Sequence, residues 1–101
     1  MNIRSFEDND YEEVMQWWKA QEWPPLPLDL LPTVGFIAEQ DGVKLAATWI
    51  LSTNCPIYIM EWTVGNPECD WELRSKALDD VTNEACKWAK EDGAKAVFKS
   101  I

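Results

Sequence analysis

The chain has no histidine, three cysteines and four glycines among its 101 residues. Without histidine, and with Cys55, Cys69 and Cys86 lacking any CxxC spacing, the usual zinc ligand sets cannot be assembled, so no metal is expected. An odd number of scattered thiols points to a reduced, cytoplasmic setting rather than a disulfide framework. No apolar run approaches the roughly 18 residues that a membrane span requires, and the opening MNIRSFEDND is too polar for a signal peptide; no membrane partner is expected. Basic residues are also scarce. Nine face eighteen acids, and the formal charge of -9 repels a nucleic-acid backbone while suiting a cationic partner.

What is present is an ordinary globular composition, 47% hydrophobic and 27% charged, in one domain spanning residues 1–101. The acidity is uneven. Residues 1–35 carry seven acids against Arg4 and Lys19, so the acidic face is expected on the N-terminal part.

Periodicity orders the elements as β-α-(loop)-β-β-β-α-β, an α+β fold with a mostly antiparallel sheet. NIRSF alternates as a first strand. EDNDYEEVMQWWKAQEW predicts an amphipathic helix capped by Asp8 or Asn9, with Tyr11, Val14, Met15 and Trp18 on one stripe. The proline-rich WPPLPLDLLPT forbids a regular helix and forms a connection ordered by its leucines. Two apolar runs flank Asp41-Gly42, a hairpin signal, and PIYIMEWTVGN supplies a neighbouring strand. A second helix follows, with Leu73, Ala77, Val81, Ala85 and Trp88 on its buried stripe and Gly93 closing it. AKAVFKSI is the last strand.

The segment NPECDWELRSKALDDVTNEA, residues 66–85, opens this helix directly after a strand, where a helix N-terminus can meet an anion, yet it contains no glycine. With that placement, the order of elements and the strings IRSFEDNDYEEV, FIAEQDGVKLAATWIL, YIMEWTVGNPE and KWAKEDGAKAVF resemble the GCN5-related N-acetyltransferase (GNAT) superfamily over nearly the whole chain. The resemblance implies a GNAT-like fold, acetyl-CoA as cofactor, and acetyl transfer to an amine. The family's phosphate motif, Q/R-x-x-G-x-G/A, falls on Arg74, Ser75, Lys76 and Ala77, followed by Leu78 and Asp79, with both glycines replaced. The splayed strand that bonds the cofactor's pantetheine arm corresponds to Trp62, Thr63, Val64 and Gly65. Glu61 corresponds to the carboxylate that removes the acceptor's proton. Trp17, Trp18, Glu22, Trp23 and Trp49 are expected around a cationic acceptor, small molecule or protein, because tryptophan faces attract cations.

Members of the family usually continue past the fifth strand into a further helix and two strands, with a tyrosine that protonates the departing thiolate; neither Tyr11 nor Tyr58 matches it. An uncovered final strand, with Val97, Phe98 and Ile101 beside it, leads to an expected homodimer through that strand. The alternative to an enzyme is a catalytically inactive module of the same fold that offers its acidic, tryptophan-rich surface to a protein partner.

Overall fold

Asp41 and Gly42 both take left-handed backbone, with φ of 53° and 79°, the requirement of a type I′ turn. They join β2 (Val34–Gln40) to β3 (Val43–Leu51) as an antiparallel hairpin, the expected one. The computed structural model describes residues 1–99; Ser100 and Ile101, expected in the last strand, lie outside the described residues. On one side of the hairpin β1 (Asn2–Ser5) pairs antiparallel with β2. On the other, β4 (Ile57–Gly65) pairs antiparallel with β3, and β5 (Ala96–Lys99) pairs parallel with β4. The result is a mixed five-stranded sheet in the order β1-β2-β3-β4-β5, the mostly antiparallel α+β architecture expected.

Alternate residues along each strand serve opposite faces. Phe36, Ala38, Ala46 and Met60 pack against α2 (Trp71–Glu91), whereas Ile37, Ala47, Trp49 and Val64 pack against α1 (Tyr11–Ala20). The sheet is thus covered by one helix on each face. α2 buries Ala77, Val81, Ala85 and Ala89, a stripe of mostly small residues repeating every fourth position. Leu73 and Trp88, expected on that stripe, flank it half-buried. On the other face Trp18 and Trp49 are 1% and 0% exposed, with ring centroids 5.4 Å apart. Each buries roughly 150–250 Å², a gross transfer gain of about 4–6 kcal/mol before entropy is charged.

The start of α1 departs from expectation. The segment before it is a 3-10 turn, Asp8–Asp10, closed by reciprocal bonds between Glu7 and Asp10, so neither Asp8 nor Asn9 caps the helix. Asp10 occupies the cap position without a side-chain cap bond, because its carboxylate is committed elsewhere. It is 1% exposed and takes Arg4 Nη1 and Nη2, each at 2.9 Å, Lys44 Nζ at 2.9 Å and the Glu7 amide at 2.9 Å. Burial pushes this carboxyl up, but the bonds from Arg4, Lys44 and Glu7 outweigh it and hold it well below the usual carboxylate range. The buried stripe of α1 is Val14, Trp17 and Trp18, with Tyr11 and Met15 half-buried beside it.

The proline-rich connection is fastened by half-buried Leu26 and Leu31, and by a bond of 2.8 Å from the Tyr11 hydroxyl to the Leu26 carbonyl. Leu28 and Leu30 are exposed. Among the described residues no helix is long and apolar enough to cross a membrane.

Candidate active site

The register of β3 against β4 slips by one residue: Ala47 faces Val64 and Trp49 faces Glu61, so Trp62 and Thr63 together oppose Thr48. This is a β-bulge, a device that bends a strand and re-aims its side chains, and bulges are over-represented beside active sites. Trp62 takes the left-handed backbone conformation, with φ of 57°, at a cost of about 1–3 kcal/mol for a bulky residue. Two contacts hold it. The Trp18 Nε1–H donates to the Trp62 carbonyl at 3.4 Å, and the hydroxyls of Thr48 and Thr63 lie 2.7 Å apart.

The bulge coincides with the end of strand pairing on the other side. Parallel pairing with β5 runs from Ile57 to Met60, and among the described residues it goes no further. Among the described residues, Glu61, Trp62, Thr63, Val64 and Gly65 therefore have no strand partner on that side. Along them runs a cleft in two adjoining parts, of about 410 and 450 Å³, that share Trp23, Thr63 and Leu78. One part lies under Arg74, Pro67 and Gly65; the other is bounded by Glu61, Trp62, Pro24 and Lys99. The expected site residues Glu61, Trp62, Thr63, Val64, Gly65, Arg74 and Trp23 are thus brought together.

Others are not. Trp17, Trp18 and Trp49 are 3%, 1% and 0% exposed and belong to the core under α1, and none of them lines this cleft. Their spacing on an amphipathic helix and a central strand already allowed that outcome. Glu22 sits exposed in the turn after α1 with φ of 60° and does not line the cleft. Ala77 is fully buried against the sheet, Ser75 is exposed, and Lys76 is exposed and paired with Asp80 at 2.8 Å. The reason is one of register. α2 starts at Trp71, so Arg74 to Asp79 already lie within the helix, and the loop where an anion would meet free amides is Asn66–Asp70.

Arg74 reaches this loop by turning back. Its stem lies over Gly65, where an added Cβ would stand 2.6 Å from Arg74 Cγ, and only glycine admits that approach. Its Nη1 donates to the carbonyls of Asn66, Pro67 and Cys69 at 3.3, 3.4 and 3.4 Å. Both tyrosine hydroxyls are engaged away from the cleft, Tyr11 with Leu26 and Tyr58 with the Asp92 carboxylate at 2.6 Å. That bond pushes the Tyr58 phenol up, with burial adding to it.

Sequence reasoning missed Gln21, Pro24, Pro67, Leu78 and Lys99 as cleft residues. Leu78 stands three and seven residues before the buried Val81 and Ala85, on the edge of the same helical face, a signal readable from the helical period; Lys99 had only its place in the last strand.

Solved structures share this architecture. A Mycobacterium tuberculosis protein in complex with CoA superposes with a TM-score of 0.81 at 11% identity, over 98% of this chain and 63% of that one. A GNAT family acetyltransferase from Brucella melitensis in complex with acetyl-CoA gives 0.73 at 15%, over 99% and 76%. A Trypanosoma brucei acetyltransferase gives 0.70 at 16%, over 99% and 82%. The chain spans less than two thirds of the length of the first of these. No family model and no curated protein sequence matches it.

Proposed function

Because the chain carries the GNAT fold, we propose that it is an acetyltransferase that moves an acetyl group from acetyl-CoA to a cationic amine. The observation that carries this reading is the bulged run of β4 from Glu61 to Gly65, which has no β5 partner among the described residues, with Glu61 lining one part of its cleft and Arg74 the other.

The fit to the cofactor is best along that run. A pantetheine arm is an extended chain with two amides, and unpaired strand backbone offers donors and acceptors to such a chain as it would to another strand. Thr63, Val64 and Gly65 would hold it, with Leu78 and Trp23 as apolar walls. When bound, acetyl-CoA supplies an activated thioester. The protein's own part in the chemistry is proton removal and positioning. An ammonium must lose a proton before its nitrogen is nucleophilic, and half-buried Glu61, which lines the cleft, supplies a carboxylate that would accept it. Trp23, 47% exposed, presents its ring to a cation at the same mouth. The net charge of -9 raises the local concentration of cationic acceptors.

The test is Glu61→Gln, assayed for acetyl transfer to spermidine and to a lysine-containing peptide. Turnover should fall by about two to four decades, the usual share of general base catalysis, with acetyl-CoA affinity unchanged. A wild-type protein that neither binds acetyl-CoA at millimolar concentration nor acetylates either amine would refute the reading, and would favour a binding module of the same fold.

A further inference from the structure

We propose that the acceptor is an amine that also carries a carboxylate, the chemical class of the free amino acids, and that Lys99 binds this carboxylate while Glu61 takes the proton from the ammonium. This rests on the transferase reading above and names the acceptor class for the same cleft.

The last pair of β4 with β5 among the described residues is Met60 with Lys99. Residues in register on two strands share a face of the sheet, and successive residues alternate between faces. Met60 packs against α2, so Lys99 belongs to the α2 face, as does Val97 two residues before it. Glu61 follows Met60 and belongs to the opposite face, in register with Trp49, which packs under α1. Both charged residues nevertheless line the same part of the cleft, just beyond that last pair. A carboxylate and an ammonium thus meet one cavity from two sides. They do not neutralise each other directly: among the described residues no ion pair within 4.0 Å joins Glu61 to Lys99.

Opposite charges held apart across a small cavity fit a ligand that carries both signs, because each then gains a charge-assisted hydrogen bond. The other cation lining the cleft among the described residues, Arg74, lies in the adjoining part and is turned onto three loop carbonyls, so Lys99 is the cation placed to meet the acceptor. A purely cationic acceptor would meet Lys99 as a like charge. A lysine within a peptide, whose carboxylate is spent in the chain, would offer it only neutral carbonyls. Trp23, Pro24 and Leu78 supply apolar surface for the methylene stem of an amino acid, and at about 450 Å³ this part lies within the range of small-molecule sites.

L-lysine and cadaverine differ in the carboxylate alone, and acetyl transfer by the full chain to each of them separates the possibilities. The wild type should use L-lysine with a kcat/KM about tenfold or more above that for cadaverine, the worth of one charge-assisted contact, and the difference should lie mainly in KM. Lys99→Met should bring this ratio to within about threefold of one, and Lys99→Arg should keep most of it, whereas a lysine that only steadied β5 would affect both acceptors alike. A wild-type ratio under about threefold, or one that Lys99→Met leaves in place, would overturn the proposal while leaving the transferase reading intact. Failure to acetylate either amine, with no acetyl-CoA bound at millimolar concentration, would overturn both.

Discussion

Replacing Asp10 with asparagine keeps the shape of the side chain and removes its charge from a site where two cations converge. The carboxylate is 1% exposed and receives four bonds of 2.9 Å, three of them from the Arg4 guanidinium and the Lys44 ammonium. Arg4 and Lys44 are themselves only 26% and 23% exposed, so water can replace the lost partner only in part. Breaking a buried pair of this kind costs about 3–5 kcal/mol, a large share of the roughly 5–15 kcal/mol that holds a small domain together. The sign with pH follows from the depressed carboxyl. Its stabilising contribution is complete above the ordinary value of 3.8 and is lost as pH falls from there through the folded-state value. Urea unfolding followed by tryptophan fluorescence should show the full gap between wild type and Asp10→Asn at pH 7, nearly the same gap at pH 5, and one smaller by roughly 1 kcal/mol at pH 3. A gap under about 1 kcal/mol at pH 7, or one that does not narrow at pH 3, would show that Asp10 is not the anchor the geometry makes it.

Two further outcomes follow from the packing. A Cβ added at Gly35 would stand 2.5 Å from Cδ1 and Nε1 of Trp49, which is fully buried; Gly35→Ala should lose about 1–3 kcal/mol by overpacking, and a loss under about 0.5 in the same unfolding assay would show that the indole can move aside. Phe98 is 60% exposed on β5, the strand at the end of the sheet order, next to the half-buried Ile59 with which it is in register. We propose that this edge pairs with a second copy of the chain, so Phe98→Glu should convert a dimer to a monomer in sedimentation at micromolar concentration, and a wild type of 11.7 kDa would refute it.

The sequence by itself determined the elements and their order. Asp41-Gly42 dictates its turn because few residues accept positive φ, and the period of four from Ala77 to Ala85 marks the buried face of α2 because helix geometry repeats locally. β4 was legible from end to end, and the family resemblance singled out Glu61 and the run Trp62–Gly65 along it, which line one side of the candidate cleft. What only the tertiary structure decided depends on partners distant in the chain. The bulge at Trp62 exists because Thr48 and Trp18, 14 and 44 residues away, hold it, and nothing in IMEWTV announces an extra residue. Trp18 already stood on the apolar stripe of α1, but Trp17 became core and Trp23 a cleft wall only through where α1 settles on the sheet. Asp10 reads as a helix-start acid. It becomes a buried anchor only when β1 brings Arg4 and β3 brings Lys44 to it, because the charge of a side chain is written in the sequence but the dielectric and the counter-ions around it are set by the fold.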